Sequence, residues 1–396
     1  MTETAEFARR QADFAANLQA AGLPLAVVIS RGGGHFDRHG DVYYLTGHYQ
    51  PFVYLPEHPP RWSGRSHTAA VVTAEGRIVL CVSVPGEFGH RSLGVDEVRA
   101  GDDFIEVVVG TVRELGATEP EVGIVGLDAL AANLWDQLRS LLPNAEFRRC
   151  DEALGALRRA KSPAEREAIR TACAMGRRAV SAFLDILGPG VSEAEAVAAA
   201  TSEVSRSGGA VYLTAVSSGA ISWSYTSDPL PGFSGRPLAD GDLVRFDLVA
   251  VHDGYLTDFG RTAVIGEPSA DQRRLLDALH GGLDAAIDVI RPGVPVSEVV
   301  QAGDKALADR GVALNPGATD GMVAAYPPHW GHGLGLGWER PWFIDTEELV
   351  IEEGMYLAIE RSIESAGVGT AAAEQNLLVG PDGPELLTAG VSERWG

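Results

Sequence analysis

Apolar and polar positions alternate with different periods along this chain, and the changes of period divide it. Residues 5–20 carry apolar and charged positions at helical spacing. LPLAVVIS (23–30) is a continuous apolar run of strand length, as expected for a strand covered on both faces. Gly32, Gly33 and Gly34 follow it, but without the Gly-Lys-Ser/Thr ending and the succeeding helix of a phosphate-binding loop. TAAVVTAEGRIVLCVS (68–83) predicts a hairpin turning at Glu75-Gly76, and EVGIVGLDA (121–129) predicts another buried strand. Helix-like and strand-like segments alternating in this way predict an α/β domain.

The pattern changes near residues 150–162, which predicts one domain over 1–155 and a second over 156–396. The second opens on a strong helix start. Ser162 can cap, Pro163 suits the first turn and Glu165 completes a capping box. Long helices then alternate with paired strands. ILGPGVSEAEAV (186–197) is echoed by VIRPGVPVSEVV (289–300), each a helix end, a Pro-Gly-Val turn and a new helix start. Two related α/β halves account for the echo.

Composition narrows the function. The chain has 396 residues, 45% of them hydrophobic, so a large core is available. A net charge of −22 argues against nucleic-acid backbones and anionic membranes as partners. Cys81, Cys150 and Cys173 are far apart and odd in number, which fits a reducing compartment. The charged N-terminal segment has no apolar signal core, and no stretch of about 18 apolar residues occurs. A soluble, cytoplasmic protein is expected.

The chemistry lies in polar residues that interrupt apolar strands. GDLVRFDLVAVHDGYLTDFGRTAVIG (241–266) predicts two strands turning at His252-Asp253-Gly254. Asp247 and Asp258 then fall nearly opposite each other, at a Cβ separation of about 4.5–5.5 Å. Two carboxylates that close repel, and a shared cation or a salt bridge to Arg245 or Arg261 relieves the repulsion. Glu360 and Glu374 interrupt a second strand pair, MYLAIERSIES (355–365) and GTAAAEQNLLVG (369–380). Buried Glu calls for a partner or a metal. PPHWGHGLGLGWERPW (327–342) is rich in glycine, leaving His332 room to approach an ion. Four carboxylates and one imidazole suit two divalent ions side by side, an arrangement that activates water for hydrolysis. Trp223, Trp330, Trp338 and Trp342 lie around these segments, as pocket walls or as core.

These stretches, with RRAKSPAEREAIR at the head of the second domain and DVYYLTGHYQ (41–50) in the first, resemble the M24 metallopeptidases. That group includes prolidase, aminopeptidase P and creatinase. The resemblance covers nearly the whole chain. It implies a creatinase-type α/β N-terminal domain and a pita-bread catalytic domain with pseudo-twofold duplicated halves. It further implies that Asp247 holds one ion and Asp258 bridges two, that His332 is the single imidazole ligand, and that Glu374 is the second bridge. Glu360 would be both ligand and general acid/base. Two ions of Mn²⁺, Co²⁺, Zn²⁺ or Fe²⁺, a dipeptide-sized substrate and a homodimer follow from the same likeness.

The chain also departs from the family. Glu339 stands where a second His is usual, seven residues after His332. No His occurs in SSGAISWSYTSDP (217–229), where Ser224 and Tyr225 are nearest to the usual position. Arg361-Ser362 replaces Pro-Gly after Glu360, and Ala372 replaces an Arg. Tyr225, Glu339, Arg340 and Arg361 are the candidate substitutes for the lost substrate contacts. Xaa-Pro dipeptide hydrolysis leads. The lost histidines and the altered Pro-Gly favour the alternative, a small non-peptide amide or cyclic amidine as in creatinase or ectoine hydrolase. A non-catalytic binding module would have no need to keep all five ligand types.

Overall fold

The structure, a computed structural model, describes residues 3–33, 38–51, 66–83, 92–116, 121–224, 232–314 and 321–391. It divides into two compact units, Met1–Arg158 and Arg159–Gly396. The first runs α1 (Glu3–Ala20), β1 (Leu25–Arg31), α2 (Gly40–Thr46), β2 (His67–Thr73), β3 (Ile78–Val82), β4 (Glu97–Ala100), α3 (Phe104–Leu115), β5 (Glu121–Val125), α4 (Ala132–Leu141), β6 (Glu146–Arg149) and α5 (Asp151–Arg159). Its sheet has the order β4-β3-β2-β1-β5-β6. β1 pairs antiparallel with β2 and parallel with β5, so the sheet is mixed. Every residue of β2 and β3 is buried, which is why these strands read as unbroken apolar runs. The turn between them follows the expected position, with Gly76 at φ +92°.

The second unit holds two α-α-β layers in succession. The first comprises α6 (Pro163–Ile186), α7 (Glu193–Arg206), β7 (Ala210–Ser218), β8 (Leu243–His252) and β9 (Tyr255–Val264). The second comprises α8 (Ala270–Asp288), α9 (Val296–Asp309), β10 (Val312–Ala313), β11 (Met322–Ala324), β12 (Gly331–Leu334), β13 (Trp338–Trp342), β14 (Tyr356–Ser365), β15 (Gly369–Val379) and β16 (Pro384–Leu386). The Ser162–Glu165 capping box forms with Pro163 in the first turn. Gly190 and Gly293 both take positive φ in the two echoed turns, and Ser192 and Pro295 begin the following helices. The sequence echo therefore reflects a repeated helix-turn-helix.

Each half has its own apolar core. One packs Val180, Phe183 and Val197 of the helices against Phe246, Leu248 and Phe259 of the strands. Phe183 and Phe246 stack with centroids 3.8 Å apart. The other gathers Leu275, Leu279, Val299 and Leu307 against Leu357, Ile359 and Leu377. Trp330 enters this second core, 1% exposed, with its indole N–H donating to Asp304 at 2.8 Å. Gly303 of α9 makes room for it, since a Cβ there would stand 2.6 Å from the indole ring.

The two strand sets remain separate sheets. β7-β8-β9 is one; β10-β11-β14-β12-β13, extended by β15 and β16, is the other. Asp258 lies on β9 and Glu374 on β15, where these two strands meet. Among the described residues, no helix is long and apolar enough to cross a membrane.

Candidate metal centre

β8 and β9 are joined by a two-residue turn. Asp253 and Gly254 take φ +50° and +85°, the left-handed pair that matches strand twist, and His252 pairs with Tyr255. This register corrects the expectation for the aspartates. Asp247 lies opposite Gly260, and Asp258 lies opposite Val249. The two are diagonal neighbours on one face, because the turn is centred half a residue later than the sequence reading placed it. Gly260, across from Asp247, leaves that face open.

The second sheet supplies the rest. Glu360 and Glu374 are direct partners on β14 and β15. His332 pairs with Ala358, two residues from Glu360 and on the same face. Glycines let β12 lie close between β13 and β14. Gly331 has φ +111°, and a Cβ there would reach 2.0 Å from the Ala358 carbonyl oxygen.

Asp247, Asp258, His332, Glu360 and Glu374 all line one cavity of about 450 Å³. Ligand atoms of Asp258, His332 and Glu374 lie within 4.8 Å of one another. His332 Nε2 is 3.8 Å from Asp258 Oδ2 and 3.7 Å from Glu360 Oε1. The other ring nitrogen, Nδ1, lies 3.3 Å from the Gly333 carbonyl, which turns the Nε2 lone pair toward the carboxylates.

The electrostatics of the cavity are dominated by crowded, buried carboxylates. Burial first, then the charges of Asp247 and Glu360, push the Asp258 carboxyl well above the usual range; the Trp338 indole N–H, donating at 2.8 Å, opposes this. Burial, then the charges of Asp258, Glu360 and Asp247, raise Glu374, against the pull of Arg261. Glu360 is pushed up to about 8 by burial and Asp247, against the pull of Arg245 and Arg361. Burial, reinforced by His329, lowers His332 to about 3, so its imidazole is neutral. Glu374 Oε1 is buried with no hydrogen-bond donor. Neutral imidazole, crowded carboxylates and an unsatisfied buried oxygen form a donor set that a divalent cation fits.

The candidate substrate residues fare differently. Tyr225 lies outside the described residues. Glu339 does not line the cavity; it faces the Lys161 ammonium at 3.0 Å, with both side chains nearly buried. Arg340 is held by Glu347 and is half exposed, away from the cavity. Arg361 is buried beneath the 327–329 segment and donates to the carbonyls of Pro327 and His329, each at 3.2 Å. Strand alternation turns Glu339 to the side opposite Trp338 and Arg361 to the side opposite Glu360, while Arg340 sits at the register shift between β12 and β13. Trp338 and Trp342 line the cavity, whereas Trp330 is core and Trp223 is exposed elsewhere.

The sequence reading passed over His329, which does line the cavity. Its Nδ1 accepts from the Gly331 N–H at 3.1 Å and lies 3.5 Å from Glu360 Oε1. That bond leaves the ring proton on Nε2. Burial and then Arg361 lower His329 to about 4, so it too is neutral. A second imidazole three residues before His332 was the available signal. Arg245 also lines the cavity.

Comparison with known proteins agrees with this geometry. Metallopeptidase family M24 matches residues 167–381, and the Creatinase/Prolidase N-terminal domain matches residues 10–160. A probable dipeptidase PepE of Mycobacterium tuberculosis is 33% identical over 236 residues, 59% of each chain. The match thus spans 59% of the length of that curated relative. A Xaa-Pro dipeptidase of Pyrococcus horikoshii is 26% identical over 306 residues, 76% of this chain and 79% of the relative. The crystal structure of dipeptidase PepE from Mycobacterium ulcerans superposes with a TM-score of 0.80 at 28% identity, covering 100% of this chain and 98% of the other. The prolidase from Pyrococcus horikoshii OT3, at 20% identity and TM-score 0.78, covers 98% of this chain and 100% of its own and shares the fold. With more than half its length matched and a buried Asp-His-Glu cluster between the two sheets of its second unit, the chain belongs to metallopeptidase family M24.

Proposed function

We propose that this protein is a two-metal hydrolase of amide C–N bonds acting on dipeptide-sized substrates, with Xaa-Pro dipeptides foremost. The observation that carries the reading is the convergence of five side chains from two sheets on one cavity of about 450 Å³. A volume of that size suits a small ligand rather than a long peptide. The similarity to a Xaa-Pro dipeptidase and to PepE dipeptidases favours the dipeptide over a small cyclic amide.

Asp247 would hold one ion, Asp258 and Glu374 would be shared between two, and His332 and Glu360 would complete the set. Bound divalent ions supply an acidified water and an electrophile for the scissile carbonyl. Glu360 takes the proton of the attacking water and returns it to the leaving nitrogen. His329, with its proton on Nε2, donates to the carbonyl oxygen as negative charge develops there, in the role of the absent family histidines. An imidazole ligand selects Mn²⁺, Co²⁺, Zn²⁺ or Fe²⁺ over Mg²⁺ or Ca²⁺. The reading extends to a cytoplasmic homodimer; the free thiols of Cys81, Cys150 and Cys173 suit a reducing compartment, and the dimer rests on the family likeness alone.

The test is a panel of Xaa-Pro and other dipeptides assayed with each of the four metals, alongside metal analysis. Two ions per chain and preferential Xaa-Pro turnover are expected. Hydrolysis of a cyclic amide or guanidino compound, with no dipeptide turned over, would overturn the substrate. Less than one ion per chain after replenishment would overturn the metal centre.

A further inference from the structure

The five proposed ligands come from two sheets that share no strand ladder. Asp247 and Asp258 belong to the three-stranded sheet; His332, Glu360 and Glu374 belong to the seven-stranded one. The distance between the two ligand groups must therefore be set by contacts across the seam. At the level of Asp258, the contact is Asn376 of β15, a fully buried side chain two residues beyond Glu374.

The Asn376 amide binds both backbone polar groups of Asp258. Its Oδ1 accepts the Asp258 N–H at 3.0 Å, and its Nδ2 donates to the Asp258 carbonyl. The side-chain amide thus stands in for the strand partner that β9 lacks on this edge. The two contacts also fix which amide atom is oxygen and which is nitrogen. Further bonds hold the amide in place. The Thr257 hydroxyl donates to Oδ1 at 3.1 Å, and the Tyr356 hydroxyl lies 2.9 Å from it. The backbone N–H of Asn376 donates to the Thr388 hydroxyl at 2.9 Å. Tyr356 lies 3.2 Å from the Cys173 sulfur, which connects this cluster to α6.

We infer that Asn376 is a positioning residue for the metal centre: its amide clamps the Asp258 backbone to β15 and so sets the spacing between Asp258 and Glu374, the two carboxylates proposed to be shared by both ions. This rests on the two-metal reading above. A second seam contact serves as an internal control. The Thr262 hydroxyl donates to the Ala372 carbonyl at 2.8 Å and accepts the Ala372 N–H at 2.9 Å. It ties the same two strands by the same kind of pairing, but at neither Asp258 nor Glu374.

The experiment compares Asn376→Leu, which keeps the shape and removes both bonds, with Thr262→Val, which does the same at the control site. Mn²⁺ binding is followed by calorimetry, and metal-free thermal unfolding is measured in parallel. Both variants are expected to unfold at lower temperature. Only Asn376→Leu is expected to lose Mn²⁺ affinity, by about 10–100-fold, the usual effect of removing a group that orients a metal ligand. If Asn376→Leu does not fold, Asn376→Ser carries the same comparison. Wild-type affinity in the Asn376 variant, or an equal loss in Thr262→Val, would reduce Asn376 to a structural role and overturn the inference. Failure of the wild-type protein to bind Mn²⁺ would instead sink the metal centre itself, and this inference with it.

Discussion

The crowding of carboxylates makes metal uptake a proton-releasing event, with a magnitude that the structure allows to be worked out. Glu360 titrates near 8 in the metal-free site. At pH 7 it therefore holds about 0.9 of a proton. Asp258 is also pushed up, by burial and then by Asp247 and Glu360, and Glu374 by burial and then by Asp258. Cations entering the cage displace the Glu360 proton, so about one or more should leave per chain. Apparent affinity should rise about tenfold per pH unit for each proton released. The metal-free protein carries the same signature in its stability. Glu360 has a folded-state pKa above its unfolded value, so its contribution is fully present below about 4.5 and lost as pH rises through about 8. His332 and His329 are lowered to about 3 and about 4, so their contribution is present above about 6.5 and lost as pH falls. The two effects oppose each other up to about pH 7, and above it the loss through Glu360 dominates. Between pH 6.5 and 8 the metal-free protein should lose roughly 2 kcal/mol through Glu360 alone, at about 1.36 kcal/mol per proton per pH unit. Calorimetry in two buffers of different ionisation enthalpy counts the protons, and denaturant unfolding in chelator gives the stability. Zero proton release, together with metal-free stability that is flat or rising over that range, would refute the reasoning.

Glu360→Gln should lower kcat by about 100-fold or more, since the amide cannot carry the proton; near-wild-type turnover would remove Glu360 from that role. His329→Ala should lower kcat/KM by about 10–100-fold with metal content unchanged, because it deletes a donor and no ligand; loss of metal instead would recast His329 as part of the cage. Gly303→Ala should destabilise the fold by about 1–3 kcal/mol in denaturant titration, since its Cβ would stand 2.6 Å from the Trp330 indole; the helix propensity of Ala returns only about 1 kcal/mol.

Local rules account for the elements that could be read in advance. The Ser162 capping box, the Asp253-Gly254 turn and the Gly76 hairpin are short-range, and each formed where its residues require. The repeated Pro-Gly-Val turns showed the duplication for the same reason. Polar residues inside apolar strands marked the four proposed carboxylate ligands, because burial of a carboxylate demands compensation wherever it occurs, and the glycine-rich surroundings marked His332. Side-chain direction on β13 and β14 was not legible. Glu339, Arg340 and Arg361 stood beside the motifs in sequence, yet strand alternation and the bulge at His332–Gly333 turn them to Lys161, Glu347 and the Pro327 carbonyl. His329 reached the cavity through a segment whose path depends on Arg361 beneath it.

What the chain determined by itself, then, was the inventory of elements and the chemical character of the site, since both follow from residue type and period. The tertiary structure alone decided that two unladdered sheets meet at Asp258 and Glu374, that Asn376 joins them there, and that a neutral His332 turns its lone pair to the gap. Asp258 stands more than a hundred positions from both Glu374 and Asn376, and in a separate sheet from these two and from His332. No local period encodes these relations; they arise when two apolar cores bury their strands against each other.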